Sequence, residues 1–360
     1  MRPLKLNDIT VVIPTLNERE NLRVLVQDLN SQLDEPPEIL VADGGSTDGT
    51  LDYLKNYNIQ HIISPSGRAI QMNTAAKTVK TEFILFLHAD TRVKDPLSLK
   101  RALQLFCAER DRYDKPLAGH FPLRFLGKNK NQHSLFWRYA EEKTDSNRPD
   151  SINGDQGLLI ERDDFFRLGQ FDESLHFLED QKFSEKVFEE GKWIVLPGFI
   201  ETSARRFETE GEHQLYILMA IIMGLFKTGF TDFFELAPAL YRQQKSTQKL
   251  YLTPFFQLIW SIKSKKLGFK KSVIAWYRVG RYIRSHSWQM FYFFDQLARP
   301  IYGQRVYPLL WFHDHIFEKF IKHPPANIIT GVVAFVWFMG ILQPTYWLLE
   351  RKALKSLKVN

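Results

Sequence analysis

The first ninety residues alternate short apolar runs, which end in polar or glycine-rich residues, with helical patterns. The apolar runs cover residues 10–14, 38–42, 60–63 and 82–87, with helical patterns near 17–33, 50–54 and 68–79. Runs this short, bounded by turn residues, read as strands. Strand, helix, strand in succession makes a parallel sheet covered by helices on both faces. In the first helix Leu22, Leu25, Val26, Leu29 and Leu33 recur at helical spacing. Asn17 stands where it can cap that helix, with Glu20 three residues on as the reciprocal partner of a capping box.

After Leu87 the rhythm changes. A helix is expected over 96–108, and the alternation of Phe121, Leu123 and Phe125 suggests a mixed-sheet edge. Residues 154–161 read as a strand and 178–190 as a helix with Phe183 and Val187 inward, stopped by Gly191. An uncharged apolar run at 213–226 is too short to span a membrane and reads as a buried core helix. Beyond Arg242 the chain turns basic and aromatic, with Val273, Trp276, Tyr277, Gly280 and Ile283 near one helical face and Arg278, Arg281 and Arg284 on its flank. Residues 326–349 then run 24 positions without a formal charge, long enough to cross ~30 Å of hydrocarbon. The expected organisation is a mixed α/β domain over 1–242, a basic amphipathic helical region over 243–325, and an apolar membrane segment with a basic tail over 326–360.

Charge supports that division. The net charge is +7, yet residues 245–322 hold fourteen Lys and Arg against three acids, which leaves residues 1–244 acidic. An acidic front and a basic back have different partners. A basic stretch can track nucleic acid, but here the aromatics recur at helical spacing and a long apolar run follows; a membrane lipid surface accounts for both, and no nucleic-acid partner is expected. Basic residues flank both ends of 326–349, so the charge bias assigns no orientation. At 44% hydrophobic and 25% charged the chain is too apolar for disorder and too polar for a multispanning protein. Cys107 is the only cysteine, which excludes an intramolecular disulfide and a thiolate zinc cluster. The N-terminus enters a strand pattern without an apolar stretch of signal-peptide length, so the expected location is the cytoplasmic face of a membrane.

Ligands of an open α/β sheet bind where strands end. The second strand ends in Asp43-Gly44-Gly45-Ser46-Thr47-Asp48-Gly49-Thr50. Ser46 breaks the dinucleotide fingerprint, and Thr50 stands where a P-loop needs Lys. What remains is a carboxylate at a strand end, able to accept hydrogen bonds from a base or ribose, followed by a flexible turn.

The residues Val11 to Glu18 and Val41 to Gly49 together resemble the start of a family 2 glycosyltransferase of the GT-A fold. Further matches follow in order: Gly67 to Asn73, Phe86-Leu87-His88-Ala89-Asp90, Gly154-Asp155-Gln156-Gly157, Glu179-Asp180 and Ser203-Ala204-Arg205-Arg206. The set is similar to the bacterial branch called rSAM/selenodomain-associated transferase 2, over about residues 9–242. The resemblance implies a nucleotide-diphospho-sugar transferase, a mixed GT-A sheet, a UDP- or GDP-linked sugar as partner and a divalent metal, Mn2+ or Mg2+, as cofactor. It also implies roles. Pro14, Thr15 and Glu18 line the nucleotide pocket, Asp43 grips the base, and Arg68 and Asn73 contact the nucleotide or its phosphates. Asp90 is the surviving acid of a metal-binding Asp-x-Asp motif. Glu179 and Asp180 supply the catalytic base, with Asp180 preferred; Asp155 and Gln156 face sugar or acceptor, and Arg205 and Arg206 close over the diphosphate.

The chemistry suits these types. A departing diphosphate concentrates negative charge that a hard cation neutralises, Arg adds bidentate donors, and a carboxylate takes the acceptor's proton as its oxygen inverts the anomeric carbon. Two positions depart from the family pattern: His88 replaces an Asp, and Phe207 replaces a Trp after the paired arginines. Two other readings compete. A sugar-1-phosphate nucleotidyltransferase needs a Gly-rich, basic signature after the first strand, where Pro14-Thr15-Leu16-Asn17-Glu18 stands instead. A non-catalytic nucleotide-binding membrane scaffold needs no base at Asp180.

Overall fold

The computed structural model describes residues 5–33, 35–127, 134–175, 177–244, 249–262, 268–302 and 306–357. The chain divides into two compact units, Met1–Ala204 and Arg205–Asn360. Composition alone had put the boundary at 242, where basic residues begin.

The first unit holds strands β1 (Ile9–Thr15), β2 (Glu38–Asp43), β3 (Gln60–Ile63), β4 (Phe83–Phe86), β5 (Leu117–His120), β6 (Leu123–Leu126), β7 (Leu158–Glu161), β8 (Lys192–Val195) and β9 (Ile200–Ser203). Its helices are α1 (Arg19–Asn30), α2 (Thr50–Asn56), α3 (Arg68–Ala76), α4 (Ser98–Arg110), α5 (Leu135–Lys143), α6 (Arg162–Arg167) and α7 (Glu179–Glu190). Seven strands form one sheet in the order β3-β2-β1-β4-β7-β5-β8, and β6 pairs with β9 apart from it. The left half is parallel, β7 runs antiparallel to β4 and β5, and β8 is parallel to β5. The expected mixed α/β sheet is therefore present. The alternation at 121–125 falls outside the large sheet: β5 ends at His120, and β6 belongs to the small one.

The period of two sorts β1 into two cores. Val11 and Ile13 face one side, with Leu22, Leu25 and Leu29 of α1 and Phe106 of α4. Val12 faces the other, with Ala69, Met72, Ala75 and Ala76 of α3 and Phe183 and Val187 of α7. Large apolar side chains buried this fully contribute ~1.5–3 kcal/mol each.

Three sequence expectations need correction. Asn17 does not cap α1; it has a positive φ of 56°, and its Oδ1 accepts from the Thr47 amide at 2.8 Å. The amide of Arg19 instead donates to Asp48 Oδ2 at 3.1 Å, while Asp48 Oδ1 accepts from the amide and hydroxyl of Thr50. A residue from the next loop thus serves the starts of both α1 and α2. Leu33 lies beyond the end of α1 and is exposed. Residues 154–161 are only half strand, because Gly154–Gln156 form a 3-10 turn before β7.

The second unit is helical: α8 (Arg205–Glu210), α9 (Glu212–Thr228), α10 (Thr231–Gln244), α11 (Thr253–Ile262), α12 (Gly268–Ser285), α13 (Trp288–Tyr302), α14 (Pro308–Phe312), α15 (Glu318–Ile321), α16 (Pro324–Trp337) and α17 (Gln343–Leu357). π-helical turns at His313–Phe317 and Phe338–Leu342 join α14 to α15 and α16 to α17. Lys245, Lys263, Lys265, Lys266 and Arg305 of the basic stretch lie outside the described residues. Helix α9 joins this unit because it packs on α12: the Tyr282 ring lies beside Gly224, and Arg278 donates to the Thr228 carbonyl at 3.3 Å. It is not the wholly buried core helix expected at 213–226, since Leu215, Leu218 and Leu225 are buried but Met219 is 46% exposed.

Helices α12 and α16 cross at glycine. A Cβ on Gly280 would lie 2.1 Å from the Asn327 carbonyl oxygen, and one on Gly331 would lie 2.6 Å from that of Trp276. Arg284 donates to Asn327 Oδ1 at 2.6 Å and Asn327 donates to the Tyr277 hydroxyl, while Trp276 meets Phe335 edge to face. The pairs 284–327, 280–331 and 276–335 run in opposite senses, so the two helices are antiparallel. Glu350 of α17 accepts from the amides of Leu252 and Thr253 at the start of α11.

Asp48 yields a test of the fold. Asp48→Ala removes partners from two helix starts and should cost about 1 kcal/mol, the usual scale for a lost cap. Hydrogen bonds from Thr50 and Arg19 overcome burial and depress the Asp48 pKa below its ordinary 3.8. A depressed carboxylate stabilises above its unfolded pKa and loses that stabilisation as pH falls through the folded value. Thermal melts of wild type and mutant should differ near neutral pH and converge well below pH 3.8; an equal gap at all pH values contradicts the assignment.

Candidate active site

The carboxyl end of β1 is where the sheet opens. Val12 pairs with Phe86, and the Leu87 amide donates to the Val12 carbonyl as the last contact with β4. The ladder to β2 continues through Thr15 and Asp43. Alternation turns the nitrogen of residue 14 toward the side that β4 has left, so Pro14 forfeits no ladder bond there. Connections after β1 and β4 diverge at this point, which is the topological switch where open α/β sheets take ligands.

Gln71 closes the floor of the opening. Its buried Nε2 donates to the carbonyls of Thr15 at 2.9 Å and Ala42 at 2.7 Å. The Gly44 amide also donates to the Thr15 carbonyl. A Cβ at Gly44 would press on Gln71 at 3.2 Å, so the loop after β2 sits directly on that amide. Asp43 is fully buried; its Oδ1 accepts from the amides of Gly45 and Ser46 at 2.8 Å each. Its Oδ2 has no hydrogen-bond partner among the described residues. A buried carboxylate oxygen without a donor is costly unless a ligand supplies one.

A second group gathers around the ends of β4 and β7. Because β7 is antiparallel to β4, the turn at Gly154–Gln156 comes beside His88. His88 Nδ1 and Asp155 Oδ1 are 2.8 Å apart, and the other ring nitrogen is 3.5 Å from Arg68. Burial, assisted by Arg68, would lower the His88 pKa, but the hydrogen bond and charge of Asp155, with Asp90 adding, together outweigh them and the net direction is up. Arg68, the first residue of α3, has its Nε 3.1 Å from Glu179 Oε1, a charge contact without hydrogen-bond alignment. Burial pushes the Glu179 carboxyl pKa up, Arg68 opposes the shift, and Asp180 adds to it. Asp180 Oδ2 accepts from the Gly154 amide at 2.5 Å. A Cβ on Gly154 would sit 3.0 Å from the His88 ring and 3.2 Å from Asp180, so a larger residue would have to push both side chains back by a few tenths of an ångström. Leu178, just before the acidic pair, holds a left-handed φ of 67°; such strain persists only where surrounding contacts impose it.

Asp90 follows β4. Burial, then the charge of Asp155, raises its carboxyl pKa, with Glu18 adding and His88 opposing. Glu18 itself accepts from Asn21 Nδ2 at 2.6 Å. Among the described residues no group of three or more His, Cys, Asp or Glu is placed to hold a metal ion. The surplus of negative charge around Asp90 suits one cation, but the protein's own donors make no complete centre. The fit extends to one carboxylate, Asp90, and a cation there would need its other ligands from outside the protein's described side chains.

A family model described as glycosyl transferase family 2 matches residues 10–160, the segment that carries Asp43, Arg68, Asp90 and the Gly154 turn. Residues 10–160 form a family 2 glycosyltransferase domain. TuaG of Bacillus subtilis (strain 168), named for teichuronic acid biosynthesis, is 27% identical over 93 residues, 24% of this chain and 37% of that protein. The crystal structure of S. aureus TarS 1-349 is 17% identical, covering 94% of this chain and 92% of that one with a TM-score of 0.47. The mannosyltransferase PcManGT from Pyrobaculum calidifontis, in complex with GDP-Man and Mn2+, is 15% identical, covering 93% and 88%, with a TM-score of 0.43.

Within this glycosyltransferase domain two expected site residues turn inward. Asn73 donates to the Phe171 carbonyl and to Glu173, and its Oδ1 accepts from the Phe171 amide. With both ends committed and the side chain buried, Asn73 pins the 171–173 loop and offers nothing to a nucleotide. Gln156 is fully buried, accepting from the Asn153 amide and donating to the Thr144 carbonyl, with His120 Nδ1 at 3.2 Å. It builds the turn rather than contacting sugar or acceptor; its neighbour Asp155, with a side chain 46% exposed, is the residue that faces outward. Arg205 and Arg206 begin α8 in the second unit. Arg206 pairs with Glu210 at 3.2 Å and donates to the Tyr241 hydroxyl. Burial pushes that phenol pKa up to about 12, Arg206 opposing and Glu210 assisting. Phe207 is buried.

In sequence, Gln71 and Gly154 lie within motifs that mark no role for them, and His88 stands out mainly as a departure from the family pattern. Their importance lies in backbone atoms 29 to 56 residues away for Gln71 and in a neighbour 67 residues away for His88. The reassigned pair can be tested by stability. Asn73→Ala and Gln156→Leu each strand buried polar partners and should lower unfolding free energy by ~1–3 kcal/mol. Denaturant titration with and without the best nucleotide sugar should show the same loss in both series. A mutant of unchanged stability that has lost only ligand binding reverses the assignment.

Proposed function

We propose that the protein is a nucleotide-sugar-dependent glycosyltransferase that inverts the anomeric carbon and works on the cytoplasmic face of a membrane. The observation that carries the reading is chemical: an uncommitted Asp43 oxygen and an Arg68–Glu179–Asp180 group both lie where the sheet opens. Asp43 Oδ2 accepts from the base or ribose, beside Pro14, Thr15 and Glu18. Arg68, 44% exposed at its side chain, reaches the diphosphate with its guanidinium. A divalent cation, Mn2+ or Mg2+, on Asp90 and the phosphate oxygens would neutralise the charge of the leaving group.

Asp180 is the base. Its Oδ2 is anchored on the Gly154 amide, which leaves Oδ1 to take the proton of the acceptor hydroxyl or phosphate. The acceptor oxygen forms its bond to the anomeric carbon as the carbon–oxygen bond to the diphosphate breaks, and the electron pair leaves with the nucleoside diphosphate. Glu179, buried against Arg68, holds that guanidinium in place. Asp155 faces sugar or acceptor. The roles implied for Arg205 and Arg206 on the diphosphate rest on the sequence resemblance alone. Pro14 to Glu18 lacks the Gly-rich basic loop of a nucleotidyltransferase, and a binding scaffold has no use for a carboxylate positioned like Asp180.

Asp180→Asn keeps shape but cannot accept a proton, so turnover should fall ~10²- to 10⁴-fold, the scale of general-base catalysis, with donor affinity nearly unchanged. Asp43→Ala should do the reverse and weaken donor binding in calorimetry with UDP- and GDP-sugars. Wild-type turnover in Asp180→Asn would sink the assigned base, and undetectable transfer by wild type with every donor would favour the scaffold.

The membrane reading rests on the second unit. Among the described residues, 26 of the 33 large apolar side chains that stand exposed belong to it, far more than a water-facing surface carries. The helix Pro324–Ala353 is long and apolar enough to cross a membrane, with a mean hydropathy of 1.9 over a window only 22% buried. Full-length protein should sediment with vesicles of mixed phosphatidylcholine and phosphatidylglycerol and stay with them in high salt, because apolar insertion is not screened. Protein left in the supernatant at low salt refutes membrane binding.

A further inference from the structure

We infer that the helix Pro324–Ala353 lies along the surface of an anionic bilayer and does not cross it. The inference rests on the membrane reading above and adds the pose. Length and composition alone permit crossing, since thirty residues extend ~45 Å against ~30 Å of hydrocarbon. What decides against it is the neighbour. Helix α12 packs antiparallel along the first half of this helix, with Gly280 against Gly331 and Trp276 against Phe335. Lys270 and Lys271 precede Gly280 by about ten residues, or ~14 Å along the axis. They therefore sit level with residues near 340, the middle of Pro324–Ala353. Arg278 and Arg281 lie level with its first half, and all four are exposed.

In a crossing pose these cations would stand in the hydrocarbon, two of them near its midplane. That placement is among the costliest in a membrane protein, and a lysine stem is too short to bring its ammonium to either surface. Laid flat, the same arrangement has no conflict. Ile328, Ile329, Val332, Val333, Val336 and Ile341, each more than half exposed, point into the acyl region. The covered side of the helix meets α12, whose outer face carries the cations at the level of headgroups and water. Asn327 and Arg284, the polar contact between the two helices, then stay near the interface. The occupant is fixed by charge: a surface with phosphate headgroups complements α12 and the basic residues at both ends of the apolar run.

The two poses differ in where the helix ends lie. Lys322→Cys and Lys352→Cys, both at exposed positions, are made singly in a full-length Cys107→Ser background; Cys107 is buried and is the only native thiol. A membrane-impermeant maleimide is added to intact cells and to inverted membrane vesicles. Both positions should label in inverted vesicles, to within about twofold of their level in detergent, and neither in intact cells. Labelling of one end in each preparation, or of either end only after detergent, overturns the surface pose while leaving membrane binding intact. Recovery of the protein in the supernatant at low salt removes membrane binding itself. Vesicle flotation keeps the test independent of labelling: the lipid concentration for half-maximal flotation at low salt should rise at least tenfold from vesicles containing phosphatidylglycerol to pure phosphatidylcholine, with flotation still reached at saturating lipid, and equal concentrations for both remove the charge argument.

Discussion

The parting of two hydrogen-bond ladders at the end of β1 is the constraint on which the first unit depends. On one side β1 stays paired with β2 to Thr15 and Asp43; on the other its last bond to β4 is made at Val12. Everything placed at the opening follows from that asymmetry. Pro14 is tolerated in a central strand because its missing N–H falls where no acceptor remains. Gln71 spans the gap from below with one amide nitrogen shared between two strands. Asp43, held by the two amides that follow it, keeps one oxygen uncommitted in a buried place.

On the other side of the opening two basic side chains stand between two carboxylates. Asp155, His88, Arg68 and Glu179 follow one another with contacts of 2.8, 3.5 and 3.1 Å. Removing Arg68 strands the buried Glu179 carboxylate, which costs more than the pair itself contributes. Asp180 stands at the end of this series and is anchored by a backbone amide instead of a cation. One oxygen of Asp180 is held by that amide, whereas Glu179 faces a guanidinium. The two adjacent acids thus stand in different surroundings.

The helical unit is put together on a different rule. Its helices meet through glycine and short polar contacts, as at Gly280, Gly331 and Asn327, and its large apolar side chains often face outward. In water that arrangement wastes apolar surface. In lipid, where contact between apolar side chains confers no advantage over contact with acyl chains, close backbone approach is what holds helices together.

The sequence by itself determined the parallel half of the sheet and its strand ends, because these depend on local period and on residue type, while β5, β8 and β9 emerged only in the structure. Alternation in β1 sorts Val11 from Val12, and an acid at a strand end announces itself as Asp43 does. It also determined that the back of the chain is basic, aromatic and ends in a long apolar run. Tertiary structure decided what depends on partners far along the chain. It put Asn73 and Gln156 inside, although their motifs suggested contact with ligand, because Phe171 and His120 lie 98 and 36 residues away. It transferred the cap of α1 from Asn17 to Asp48, a neighbour only once β1 and β2 are paired. It moved helices α8 to α10 out of the catalytic unit, since the boundary follows packing on α12 and not the onset of basic composition. Hydropathy found the helix at 324–353, but the pose of that helix follows from which cations α12 lays beside its middle, and no one-dimensional profile contains that distance.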